Sequence, residues 1–128
     1  VLLDVGANAD CKADVLYQFG ILGSLFSKHV CGIKNPKVAL LNVGEEKCKG
    51  NVISQNTYSL MENNQDFEFI GNCEGRDIFS SEIDVIVCDG FTGNIVLKEA
   101  EGIYEIMKER NLLDDFLVLK TRNPLLDD

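Results

Sequence analysis

Residues 83–94 read IDVIVCDGFTGN, an apolar run that ends in a glycine-containing polar turn. The run over residues 83–88 has the length and composition of a buried strand, and the amphipathic pattern that opens at Asn94 predicts a helix over residues 94–110. A tight turn between a strand and a helix brings backbone N–H groups and a helix N-terminus to one place. The segment therefore predicts a site suited to an anion.

Three other segments also join an apolar run to a polar turn that contains glycine. They predict strands over residues 1–5, 38–43 and 67–70. A helix is predicted after the second strand, from residue 49 or 52 to residue 62.

A further helix is predicted after the first strand, from residue 10 or 12. Four residues at helical spacing form its predicted apolar face: Val15, Phe19, Leu22 and Phe26. Gly20 and Gly23 lie inside this helix and indicate close packing of the helix against a strand.

The predicted strands at residues 1–5, 38–43 and 83–88 are continuously apolar rather than alternating. With helices between them, this pattern is typical of a parallel sheet covered on both faces, so the predicted fold class is α/β, an α/β/α sandwich. The carboxyl ends of parallel strands share one edge, where such proteins bind ligands. The four polar turns should therefore converge on one rim of the sheet.

The composition excludes several classes of function. The 128 residues carry a net charge of −9 and no apolar run near the roughly 18 residues of a membrane span, so a nucleic-acid partner is disfavoured and a globular cytoplasmic protein is expected. The five cysteines form no C-x-x-C pair and His29 is the single histidine, which argues against a metal site and a Cys–His nucleophile. No complete nucleotide fingerprint is present, so no cofactor is predicted.

The chain is expected to form a single α/β domain, 1–128, within a longer protein, because it opens on Val1 directly in a strand-like run. Its motif-bearing core is predicted over residues 1–110. The tail, 111–128, alternates apolar clusters with acids. Three alternatives account for those clusters: packing against further chain, contact with a dimer partner, or contact with a membrane surface.

The rim residues suggest binding of a phosphate or a tetrahedral oxyanion. The turns offer asparagine amides, a helix N-terminus and two possible cations, Lys49 and Arg76. Asparagine also forms tight turns and helix caps, so each asparagine has a structural alternative. Glu45 and Glu46 could act as an acid or base, or as negative charges at a helix N-terminus.

The four turns together resemble the bacterial phosphate acyltransferases that act on acyl-(acyl carrier protein). The resemblance is carried by VGAN-x-DC (5–11), P-x-VALLNVGEE-x-x-KG (36–50), F-x-GN-x-EGRD (69–77) and VIVCDGFTGN-x-x-LK (85–98). The order and spacing of these motifs cover about residues 1–110.

The resemblance implies transfer of a long-chain fatty acyl group from acyl carrier protein to inorganic phosphate, which gives acyl-phosphate for phospholipid synthesis. It implies a fold similar to phosphotransacetylases and isopropylmalate dehydrogenases, and a cytoplasmic homodimer that associates peripherally with the membrane. It also implies that chain outside these 128 residues completes the active site. The hydrophobic tip that touches the membrane would include Leu112, Leu113, Phe116, Leu117 and Leu119.

Within this resemblance, we assign Lys49 as the catalytic cation, Asp89 as the orienting carboxylate and Asn94 as a catalytic amide at the helix start. Phosphate or oxyanion contacts are assigned to five further residues: Asn8, Asn42, Asn72, Gly90 and Gly93, the glycines through their backbone. Two other functions remain open at this point. One is acyl transfer from coenzyme A by a phosphotransacetylase-type enzyme, and the other is a non-catalytic, anion-binding dimerisation domain.

Overall fold

The computed structural model describes residues 1–112, which form four strands and three α-helices in the order expected for an α/β fold. The elements are β1 (Leu2–Leu3), α1 (Ala13–His29), β2 (Lys37–Leu41), α2 (Val52–Glu62), β3 (Glu68–Cys73), β4 (Val85–Val87) and α3 (Gly90–Glu109), with a 3-10 turn at Gly75–Asp77 between β3 and β4.

The four strands of the described residues form one sheet in the order β1-β4-β2-β3, and every pairing is parallel. The chain moves outward from β1 to β2 to β3 through α1 and α2, and then returns to β4 in the gap beside β1. The prediction of an α/β fold with a parallel sheet is confirmed, and the helices and sheet are consistent with an α/β/α sandwich. All four carboxyl ends lie at one edge.

The two faces of the sheet are buried by different partners. One face carries Val38, Leu40, Val85 and Val87, which pack with Leu16 of α1 and Met61 of α2 in the larger core. The opposite face carries Ala39 and Ile86, against which Ile78 and Ile83 from the β3–β4 connection pack. Connections between parallel strands are right-handed, so the direction in which a connection runs along the sheet decides which face it covers. The connections through α1 and α2 run in one direction and the β3–β4 connection runs in the opposite direction, so they cover opposite faces.

Helix α1 buries only part of the predicted apolar face, since Val15 and Phe19 are partly buried and pack against the larger core. Leu22 and Phe26 are 56% and 49% exposed, so the prediction that they face the core is wrong. The buried residues lie along one stripe of the helix, and all but the first are small: Leu16, Gly20, Gly23, Ser24 and Ser27. A Cβ at Gly23 would lie 3.0 Å from Leu3 Cδ2 and closer still to Val85 Cγ1, so the glycines bring the helix axis near the strands. Close helix–strand packing at the glycines is thereby confirmed.

Strand β3 continues further than the sequence predicts and contains a bulge. Val38 pairs with Phe69 but Leu40 pairs with Asn72, so β3 has one extra residue between these pairs. Gly71 lies in this stretch with φ +99°, a backbone conformation that side chains other than glycine rarely adopt. Beyond the bulge, the side chains of Asn72 and Cys73 lie on the opposite faces of the sheet from those that regular alternation would give. Cys73 is therefore buried beside Ala39 and Ile86.

The chain divides into two compact units, Val1–Asn94 and a second unit that begins at Ile95. The second unit's described part is the rest of α3, whose apolar side chains are exposed at Ile95, Ile103 and Ile106. None of the helices described is both long enough and apolar enough to cross a membrane. Of the predicted membrane tip, Leu112 is 42% exposed, and Leu113, Phe116, Leu117 and Leu119 lie outside the described residues.

Candidate functional site

The rim divides into two halves according to which turns are bonded to each other. The β1–β4 half comprises residues 4–11 and 89–94, and the β2–β3 half comprises residues 42–50 and 72–77. Within residues 1–112, hydrogen bonds join the two turns of each half, and no side-chain hydrogen bond or ion pair joins one half to the other.

Asp4 organises the turn that follows β1. Its carboxylate accepts hydrogen bonds from the backbone N–H groups of Gly6 at 3.2 Å, Ala7 at 3.0 Å and Asn8 at 2.6 Å. Successive N–H groups that converge in this way form an anion-binding concavity, and here the anion is the chain's own carboxylate. Burial by itself raises the pKa of Asp4, but the hydrogen bonds from the turn lower it by more, so the pKa lies below its usual value.

Helix α3 begins at Gly90, so the predicted start at Asn94 is wrong by about one turn. Asp89 lies directly before the helix, and its Oδ1 accepts the backbone N–H of Thr92 at 2.7 Å, which is the contact of an N-cap residue. The sequence prediction missed this start because two glycines in four residues read as a turn. Asp is a preferred N-cap residue, so Asp89 directly before Gly90 is the signal that could have found this start.

Gly90 and Gly93 are the points where α3 touches the turn after β1. The Gly90 N–H donates to Asn8 O at 2.7 Å, and the Gly93 N–H donates to Asp89 O at 3.0 Å, so both amides are paired within the chain. A Cβ at Gly90 would lie 2.5 Å from Asn8 O, and a Cβ at Gly93 would overlap the carbonyl oxygen of Asp4. Both positions therefore need glycine so that the two backbones can approach.

Asn94 lies inside the first turns of α3 and faces the β1 turn. Its Nδ2 donates to Val5 O at a long 3.4 Å, and Gly6, with φ +137°, leaves room for the amide. Asn8 is exposed, and its side chain is one of the groups that lower the pKa of Asp4. The structure thus brings four predicted site residues together in the β1–β4 half: Asn8, Gly90, Gly93 and Asn94, beside Asp89.

Asn42 shapes the loop that carries Lys49. Its Nδ2 donates to Lys49 O at 3.1 Å and its Oδ1 accepts the Val43 N–H at 2.7 Å. Gly50 has φ +89°, and a Cβ there would lie 2.5 Å from Asn42 Oδ1. The amide of Asn42 is therefore engaged with the backbone on both sides of the loop.

Asn72 ties the end of β3 to the same loop. Its Nδ2 donates to Glu46 O at 3.0 Å, which the β3 bulge makes possible by turning Asn72 toward the side of the sheet that Leu40 faces. Its Oδ1 is buried and has no hydrogen-bond partner among the residues described. Asn42 therefore holds the Lys49 loop at its two ends, and Asn72 holds it near its middle.

The cations of the rim lie in the β2–β3 half. Lys47 Nζ pairs with Glu62 and lies 5.8 Å from the ring centre of Tyr58, and Arg76 Nη2 pairs with Glu74 at 2.6 Å. Lys49 is exposed and, among the described residues, has no carboxylate within salt-bridge distance. Among the described residues, Lys49 is thus the lysine of this loop whose ammonium group is available to bind an anionic ligand.

The buried cysteines are poor nucleophiles. Burial raises the pKa of Cys88 to about 12 and that of Cys73 to about 11. Burial and the nearby carboxylates also raise the pKa of Cys11, whose Sγ donates to Asn8 O at 3.4 Å. A thiol needs its thiolate form to react, so these three groups are unreactive near neutral pH. Residues 1–112 contain no grouping of His, Cys, Asp and Glu suited to a metal ion.

A parallel sheet with polar loops at its carboxyl edge defines the class of α/β proteins that bind small ligands at that edge. The chain belongs to the family described as "Fatty acid synthesis protein", whose match covers residues 1–117. The resemblance drawn from the four motifs is confirmed at the level of the family.

Similar proteins carry the name phosphate acyltransferase. The chain is 57% identical over 106 residues to the one from Acaryochloris marina, which covers 83% of this chain and 31% of that protein. It is 53% identical over 109 residues to the one from Dictyoglomus thermophilum, with 85% of this chain and 32% of that protein covered. The Synechocystis protein is 53% identical over 107 residues, 84% of this chain and 31% of its own length. The chain therefore spans about a third of these relatives.

Proposed function

We propose that this chain is part of a phosphate acyltransferase, which transfers a long-chain fatty acyl group from acyl carrier protein to inorganic phosphate. The acyl-phosphate product would serve phospholipid synthesis. The observation that carries the proposal is the identity above 50% to proteins named phosphate acyltransferase, over more than four fifths of this chain. The family match over residues 1–117 includes all four rim turns.

The chemistry requires few groups from the protein. An oxygen of phosphate attacks the thioester carbonyl carbon, a C–O bond forms, the C–S bond breaks, and the carrier thiol leaves with a proton. The enzyme must hold phosphate, offset part of its charge and donate hydrogen bonds to the tetrahedral oxyanion. No cofactor is needed for these steps, and a nucleophilic cysteine is not needed either.

We assign phosphate binding to the β2–β3 half, because Lys49 there has no carboxylate partner among residues 1–112. The β1–β4 half carries the carboxylates of Asp4 and Asp89, which would repel phosphate at close range. Its asparagine amides, Asn8 and Asn94, are neutral donors, so we assign them to the oxyanion that develops on the thioester carbonyl.

The partners remain part of the proposal. The acyl donor is proposed to be acyl carrier protein, although that protein is itself acidic and this chain has a net charge of −9, so docking would need basic surface outside it. A cytoplasmic homodimer in peripheral contact with the membrane is proposed for the whole protein. The exposed Leu112 supports the membrane contact at one position.

The test measures phosphate-dependent release of free carrier thiol from palmitoyl-acyl carrier protein by the full-length protein, with acyl-phosphate trapped as its hydroxamate. Palmitoyl-coenzyme A and acetyl-coenzyme A are run in parallel. We expect release and hydroxamate with the carrier substrate. Turnover with acetyl-coenzyme A alone would replace the proposal with a phosphotransacetylase, and no turnover with any donor would favour an anion-binding domain.

The Lys49→Gln variant tests where phosphate binds. Loss of a charge-assisted contact should raise the phosphate KM about tenfold or more and leave the KM for the acyl donor unchanged. Lys47→Gln is the matched control, since it removes the same charge two residues away from a lysine that is already paired with Glu62. Equal increases for both variants would show a general charge effect and would contradict the assignment of Lys49.

A further inference from the structure

We infer that Asp4 is a positioning residue that sets the geometry of the β1–β4 half for acyl transfer. The inference rests on the proposed function and concerns a residue of the rim for which the sequence predicted no role. Asp4 is 8% exposed and follows β1 directly, and its carboxylate accepts hydrogen bonds from backbone N–H groups of its own turn.

The carboxylate fixes the path of the turn. The N–H groups of Gly6, Ala7 and Asn8 all point inward at Asp4, so the Asn8 carbonyl is turned outward toward α3. That carbonyl accepts the Gly90 N–H at 2.7 Å, which anchors the first residue of the helix. The path from the carboxylate to the helix therefore runs through a single residue, Asn8.

Asp4 also lies against the helix directly. A Cβ at Gly90 would lie 2.8 Å from Asp4 Oδ2, and one at Gly93 would overlap Asp4 O, so the carboxylate and the backbone of Asp4 both form the surface on which α3 begins. The Asp4 N–H donates to Cys88 O at 2.9 Å, which fixes this surface to β4. Asn8 and Asn94, the two proposed oxyanion donors, lie at opposite ends of the same contact.

Asp4 is suited to positioning and unsuited to binding phosphate. Its oxygens are occupied by three N–H donors, and its negative charge would oppose an anionic ligand. Because the turn's donors hold its pKa below the usual value, the carboxylate stays ionised across the neutral range and the turn keeps one conformation. Asp4 is faced by the N–H donors and the Asn8 side chain of its own turn, by the Cys88 thiol, and by the backbone of Gly90 and Gly93 on α3.

The test compares Asp4→Asn with Asp10→Asn in the full-length protein. Both variants remove one negative charge from the same turn, but Asp10 is exposed, and its carboxylate accepts none of the hydrogen bonds found within residues 1–112. In Asp4→Asn an amide N–H₂ replaces one acceptor oxygen and faces a backbone N–H, so the turn must rearrange. We expect kcat with saturating phosphate to fall at least about tenfold for Asp4→Asn and to stay within about twofold for Asp10→Asn.

Two readouts separate positioning from loss of folded protein. Hydrogen exchange at Gly90 should accelerate in Asp4→Asn while exchange in β2 stays slow, because only the joint to α3 loosens. Circular dichroism and gel filtration should show an undiminished fraction of folded enzyme. Equal kcat in both variants, or a fall in kcat explained by a smaller folded fraction, would overturn the inference. Failure of the wild-type protein to transfer acyl groups would overturn the proposed function itself.

Discussion

The two halves of the rim carry the same kinds of residue and use them in opposite ways. In the β1–β4 half, carboxylates satisfy the backbone donors, and glycines let two backbones touch. In the β2–β3 half, asparagine amides hold an exposed loop and leave Lys49 without an ion pair within residues 1–112. The comparison teaches that a strand-end turn rich in Gly and Asn can bind its own chain instead of a ligand.

The largest effect is expected from Gly93→Ala, which tests the backbone contact of the β1–β4 half. The new Cβ overlaps the Asp4 carbonyl, which is backbone and cannot move aside, so we expect the full-length protein to lose about 3 kcal/mol of stability. Urea unfolding measures the loss. Gly102→Ala is the control, since beyond its own helix backbone no atom of residues 1–112 lies within 4 Å of its Cβ, and it should gain up to about 1 kcal/mol from helix propensity. A tolerated Gly93→Ala would mean that the two backbones are not in contact.

A smaller effect is expected from Asn72→Ala in the β2–β3 half. The variant loses one hydrogen bond to Glu46 O, which costs about 1 kcal/mol, and it frees the loop that carries Lys49. The phosphate KM should rise severalfold while the KM for the acyl donor stays constant. Asn56→Ala, at an exposed position of α2, provides the control. An unchanged phosphate KM in Asn72→Ala would show that the loop is held without Asn72.

The smallest effect concerns the rate at which cysteine thiols are labelled, which compares one exposed and one buried cysteine and does not involve acyl transfer. At pH 7.5, iodoacetamide should label the exposed Cys48 of the β2–β3 half quickly and the buried Cys11 of the β1–β4 half only after unfolding. The pKa of Cys11 is raised, so its reactive thiolate becomes populated only as pH rises well above neutral. Mass spectrometry of labelled peptides checks this order, and rapid labelling of Cys11 would show that the β1–β4 half opens.

Much of the fold could be predicted because strands and helices depend on local periodicity. Helix α2 ends at Glu62 as expected, and the continuous apolar runs correctly indicated a parallel sheet with its polar turns at one edge. The predicted face of α1 was wrong at Leu22 and Phe26, because small size rather than hydrophobicity decides which residues of that part of the helix are buried. The glycines at positions 20 and 23 allow the backbone to approach the strands, and large residues would hold it away.

The candidate site could be predicted only as a set of turns. Asp89, Gly90 and Gly93 were correctly placed at one point, but their use as a helix cap and a backbone joint depends on Asn8, more than 80 residues earlier in the chain. No role was predicted for Asp4 from the sequence, because that role appears only when three consecutive N–H groups turn toward it.

The sequence by itself determined the order of strands and helices, the parallel sheet and the family, since each depends on local pattern or on motifs in a fixed order. The tertiary structure decided which polar groups remain available. A backbone N–H that meets a carboxylate of its own chain is lost to a ligand, and a lysine is available only where no acid lies beside it. Those pairings are set by contacts between segments far apart in the chain, as at Asn72, where one extra residue in β3 turns the side chain toward the Lys49 loop.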